Sequence, residues 1–78
     1  MNIFAGKGDL IRYQYEEFGY PHDRELCKQH LTLGEVYTVE KTSVRSDSSR
    51  VWLQEIPNIA FNTANFEDFV VNSAQVGN

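Results

Sequence analysis

Hydrophobic and polar positions alternate through most of this chain. From Asp9 to Tyr15, Ile11, Tyr13 and Tyr15 fall on one side while Leu10, Arg12 and Gln14 fall on the other, the period of two that marks a half-buried strand. Turn formers from Glu16 to Pro21 close it. The period then changes. Leu26, Cys27, His30 and Leu31 share one helical face, with Asp23 as the expected N-cap, Pro21 just upstream and Gly34 as the stop. So short a helix is marginal alone and must lean on a larger surface. Alternation resumes from Glu35 to Lys41, and the polar run Thr42–Ser49 reads as a hairpin loop. Arg50–Glu55 forms the next strand, with Val51 and Leu53 inward and Trp52 outward. Ile59–Asn62 and Phe66–Val71 complete the set, joined by a tight, 3₁₀-like turn at Thr63–Asn65.

Five short strands with closely spaced turns predict a small barrel, because closure removes edges that so small a sheet cannot cover. The fold class is therefore mainly β: a five-stranded barrel with one short helix in the long connection between strands 1 and 2. The expected core is Ile11, Tyr13, Leu26, Leu31, Leu33, Tyr37, Val39, Val51, Leu53, Ile59, Phe61, Phe66 and Val70. At 78 residues the chain has room for a single core. Residues 1–8 read as a flexible lead, residues 9–71 as the barrel domain and residues 72–78 as a flexible tail.

Three runs carry a family likeness: Leu33-Gly34-Glu35-Val36-Tyr37-Thr38-Val39, Val51-Trp52-Leu53-Gln54-Glu55 and Phe61-Asn62-Thr63-Ala64-Asn65-Phe66-Glu67. The sequence resembles the small SH3-like barrel proteins of unknown function found in firmicute bacteria and their phages. The resemblance covers roughly residues 9 to 69 and implies an SH3-like barrel with no catalytic residues. The closing run is also similar in style to the end of peptide-binding SH3 domains, with Asn62 and Phe66 near the positions of their proline and tyrosine. The acidic, tyrosine-bearing first-strand motif of those domains is replaced here by Leu10-Ile11-Arg12-Tyr13-Gln14-Tyr15.

Charge and chemistry narrow the function. Eleven acids against seven bases leave a net charge of −4, the wrong sign for ordinary phosphate binding, so nucleic acid is a disfavoured partner. One cysteine, Cys27, excludes a disulfide framework within the chain. With no long apolar run, neither a membrane span nor an export signal is expected, and the reading is a cytoplasmic protein. His22, Cys27 and His30 could be combined as a metal set or a Cys–His nucleophile pair. The first lacks a fourth ligand, and the second lacks an orienting group and an oxyanion turn. Gly6-Lys7-Gly8 lacks the spacing of a phosphate loop. No enzyme activity, cofactor or metal is expected.

What remains is a surface. Tyr13, Tyr15, Phe18 and Tyr20 crowd the second connection beside the acids Glu16, Glu17, Asp23 and Glu25. Tyrosine and tryptophan suit places with one apolar and one wet side. The expected protein-binding residues are Tyr15, Glu17, Phe18 and Tyr20 from this connection, Trp52 from the third strand, Arg45 and Asp47 from the hairpin, and Asn62 and Asn65 at the closing turn. They define an interaction module; the resemblance implies a phage or mobile-element origin, and analogy with small phage proteins implies an inhibitor or adaptor of a host protein. A small nucleic-acid-binding barrel is the alternative. A monomer is expected ahead of a homodimer, in which Trp52 would be buried across a two-fold axis.

Overall fold

The computed structural model describes residues 1–46 and 48–70. Its elements are β1 (Leu10–Tyr13), α1 (Pro21–His30), β2 (Val36–Val44), β3 (Ser49–Leu53), β4 (Ala60–Asn62), a 3₁₀ turn (Thr63–Asn65) and β5 (Phe66–Asp68). The five strands make one sheet in the order β4-β3-β2-β1-β5, with every neighbouring pair antiparallel. The fold is thus mainly β with one short helix between the first two strands. A flat sheet of this size would set its edges about 19 Å apart. Yet the edge strands β4 and β5 are linked by a 3₁₀ turn of 3 residues, which reaches only about 6 Å. The sheet must therefore curl until its edges approach.

Curling gathers the inward side chains of every strand into one core. Ile11, Tyr13, Val39, Val51, Leu53, Phe61 and Phe66 are buried, joined by Cys27 and Leu31 of the helix side and by Ala5. Phe61 meets Phe66 edge to face with centroids 6.3 Å apart, a favoured aromatic geometry. Each such side chain contributes about 1.5–3 kcal/mol of gross burial energy, set against the entropy of ordering the chain. Two residues expected in this core lie outside it. Leu33 sits in the turn between α1 and β2, and Val70 lies beyond the last ladder pair; both are exposed.

Several boundaries move for identifiable reasons. β2 runs on to Val44 because Thr42, Ser43 and Val44 pair with Val51, Arg50 and Ser49, so the hairpin loop is shorter than the polar run suggested. Residue 47 at its tip lies outside the described residues. β1 stops at Tyr13 because the amides of Gln14 and Tyr15 turn to the Asn65 carbonyl, each at 3.1 Å. β3 stops at Leu53, where the register shifts by a bulge between Val39 and Lys41. The Glu55 carboxylate then accepts the Thr38 amide at 2.9 Å and its hydroxyl at 2.7 Å. β5 ends at Asp68, and the expected 72–78 tail, like Val71, lies outside the described residues.

The helix begins earlier than Asp23. Pro21 takes the first helical position, where its fixed φ is preorganised and its missing N–H costs nothing. Tyr20 is therefore the N-cap, and Asp23 at the third position accepts the Tyr20 amide at 3.2 Å. Residues 1–8, read from sequence as a flexible lead, make several contacts with the sheet. The terminal ammonium donates to the Phe66 carbonyl at 2.8 Å, the Asn2 amide to Asp68 at 2.8 Å and the Gly8 amide to Val39 at 2.9 Å.

Candidate functional site

The connection between β1 and α1 carries three large exposed rings, Tyr15, Phe18 and Tyr20. Solvent-facing rings on a free loop would collapse or wander; here the loop is held from beneath. Asn65, fully buried, donates from Nδ2 to the Tyr15 carbonyl at 2.6 Å and the Phe18 carbonyl at 2.9 Å. The backbone carbonyl of Asn65 accepts the Gln14 and Tyr15 amides. Both Nδ2 hydrogens are thus paired while the buried Oδ1 has no partner among the described residues, and paired buried donors of this kind fix the geometry of the groups they hold. Gly19 completes the bend at φ +87°, a conformation that glycine alone adopts without cost. A Cβ there would also stand 3.3 Å from both Asn62 Nδ2 and Asp23 Cβ.

Below Gly19 lies a polar junction. Asp23, on α1 and almost fully buried, receives Arg50 Nη1 at 2.6 Å, Asn62 Nδ2 at 3.1 Å and the Tyr20 amide at 3.2 Å. Burial alone would raise the Asp23 pKa. The hydrogen bonds from Asn62, Arg50 and Tyr20, with the Arg50 charge, outweigh it and hold the carboxyl below its ordinary range. Asn62 is engaged at both ends, since its Oδ1 caps the 3₁₀ turn through the Ala64 amide at 2.9 Å. This junction ties helix, connection, β3 and β4 together, so its role is to set the loop's position.

The expected rings fall on three separate depressions. Tyr15, Glu16, Glu17 and Phe18 line one with Gln14 and Leu33; within it Tyr15 and Phe18 stack with centroids 5.2 Å apart. Tyr20 lies on a second, formed by Gly19, the hairpin end Ser48–Ser49 and the 3₁₀ segment Asn62–Ala64. The connection, the hairpin and the closing turn therefore meet around Tyr20. Trp52 lines a third depression with Lys7, Glu40, Lys41 and Pro57. It shares no lining residue with the other two.

Residues 10–77 match the family described as Bacteriophage T4 protein Y07B. The chain belongs to that family. No curated protein matches it, and no solved structure does. The match takes in every strand, the helix and the 3₁₀ turn, so loop, brace and junction all fall within the shared region of this Y07B-family protein.

The remaining expected site residues divide by burial. Glu17 is exposed on the loop and Arg45 is exposed at the hairpin; Asp47 lies outside the described residues. Asn62 and Asn65, expected among the protein-binding residues at the closing turn, are buried and support the loop from behind. Trp52 is half-buried, with Lys41 Nζ 4.7 Å from its ring centroid. Cys27 is fully buried against the core, and burial together with Asp23 pushes its thiol pKa up to about 11. Such a thiol is a weak nucleophile. No described helix is long and apolar enough to cross a membrane.

The sequence reading missed the Asp23–Arg50 pair, Asn65 as a brace and the demand on Gly19. Proline at the first helical position and aspartate at the third was a local signal for the Asp23–Tyr20 contact. The Arg50 partner is 27 positions away and leaves no local trace.

Proposed function

We propose that this phage-family protein is a non-enzymatic interaction module. It acts in the cytoplasm by binding a host protein, as an inhibitor or adaptor, through the outer surface of the Tyr15–Tyr20 connection. The curled sheet is read as an SH3-like barrel used as a scaffold. One observation carries the proposal: stacked, exposed Tyr15 and Phe18 are held on a loop whose carbonyls are fixed by a fully buried asparagine. Rigid aromatic anchors bind with little ordering cost, which is the make-up of an interface hot spot. Tyr20, beside the hairpin end, extends the same surface along the connection.

The test is capture from a lysate of phage-infected cells on immobilised protein, with Phe18→Ala and Tyr20→Ala as comparators. Truncating a hot-spot ring costs about 2 kcal/mol or more, roughly a thirtyfold loss of affinity. Retained partners should fall away in at least Phe18→Ala while its unfolding curve stays that of the parent. Equal retention by both variants would refute the proposal.

A further inference from the structure

We propose that the hollow between Tyr15, Phe18 and Leu33 receives an arginine or lysine side chain from a basic segment of the partner protein. This rests on the docking reading above and adds the chemistry of the occupant. The walls are apolar and exposed at all three residues, suited to the methylene stem of a long cationic side chain. The stacked rings offer π-faces that attract a cation. Glu16 and Glu17 line the same hollow and supply the charge complement.

Those two carboxylates stand apart from most others in the protein. Asp23 is paired with Arg50, Glu40 with Lys7 and Glu67 with Arg12. Glu55 accepts from Thr38, Asp9 from the Gly6 amide and Asp68 from the Asn2 amide. Among the described residues, neither Glu16 nor Glu17 has an ion-pair partner, and no cation lines their hollow. The aromatic groups repeat the contrast. Trp52 and Phe69 are each already faced by a cation of the chain, Lys41 at 4.7 Å and Arg12 at 4.9 Å, whereas among the described residues Tyr15 and Phe18 stack on each other with no cation over either ring. A surface with rings and carboxylates both unspent is complementary to a cation bearing an alkyl stem. The net charge of −4 draws such a segment in from a distance.

The experiment titrates the ¹⁵N-labelled full chain with a short acetylated, amidated peptide alternating arginine and leucine, and with its twin carrying citrulline for arginine. Amide shifts are expected at Gln14–Gly19 and Leu33–Gly34, with affinity about fivefold weaker for the citrulline twin and for the Glu16→Gln, Glu17→Gln double variant. Both substitutions are nearly isosteric and lie on exposed side chains, so the fold is kept, and the spectrum verifies it. Equal binding of the twin, an unchanged double variant, or shifts confined to the Trp52 region would each overturn the inference. If Phe18→Ala loses a captured partner yet the arginine peptide leaves this hollow unshifted, docking stands and the cationic occupant falls. If the peptide binds here while capture is indifferent to Phe18, the hollow stands and the module reading falls.

Discussion

Trp52 and the Tyr15–Phe18 pair are both aromatic groups in contact with solvent, yet they are constructed in opposite ways. Trp52 rises from the middle of β3, half-buried, with Lys41 over its ring and the Lys7–Glu40 pair across the same depression. Its electrostatic demands are met within the chain. Tyr15 and Phe18 stand on a connection without regular structure, stacked on one another beside two carboxylates that have no cation within reach among the described residues. What would be a floppy loop is instead fixed by Asn65 and by the junction around Asp23. The lesson is that ring exposure by itself does not define a docking surface. Exposure, rigidity and unpaired charge coincide at the connection and separate at Trp52.

The largest effects come from residues beneath the connection. Asp23→Ala strands the partly buried Arg50 guanidinium and the buried Asn62 amide, and removing one member of such a pair costs about 3 kcal/mol. Urea unfolding should show that loss, whereas a change under 1 kcal/mol would mean the junction does not hold the fold. Asn65→Ala removes two hydrogen bonds from a fully buried site, for about 2 kcal/mol. It should also broaden the amide resonances of Tyr15–Phe18 while leaving those around Trp52 sharp.

Those two residues also mark how far the sequence could be read. Alternation located the five strands, because the inward positions Ile11, Val39, Val51, Leu53 and Phe61 obey the period that burial imposes, and the change to helical spacing with its cap and stop residues located the helix. Boundaries slipped wherever a long-range partner ended an element: Asn65 for β1, Glu55 and the bulge for β3. The candidate surface was legible in part. Tyr15, Glu17 and Phe18 were close in sequence and lie on one hollow. Trp52, Asn62 and Asn65 belong to the expected surface only where an outward or polar residue is taken as an available one. Trp52 lies on a separate depression. A polar side chain can be buried when hydrogen-bond partners from distant segments await it, as Tyr15 and Phe18 do for Asn65 and Asp23 does for Asn62, and no local pattern announces that.

Smaller effects sharpen the contrast. Trp52→Ala removes a half-buried ring and its cation contact, at about 1–2 kcal/mol of stability. Phe18→Ala, more exposed, should change stability by no more than about 0.5 kcal/mol. Thermal melts of the pair check the order, and its reversal would place Phe18 in the core and Trp52 on the free surface. The pH effect is smallest near neutrality and grows in acid. Because the folded-state pKa of Asp23 is depressed, its contribution is present above the unfolded value near 4 and is lost as pH falls through the folded one. Denaturation midpoints should therefore decline more gently with acid in Asp23→Asn than in the parent. Equal slopes would show that Asp23 does not govern the acid limb.

Capture from one phage-infected lysate by the parent, Phe18→Ala and Trp52→Ala, each loaded at matched folded protein, separates the two aromatic regions. The account predicts that Phe18→Ala releases the partner and Trp52→Ala keeps it. Retention by Phe18→Ala with loss in Trp52→Ala would contradict the account and move the docking surface to β3.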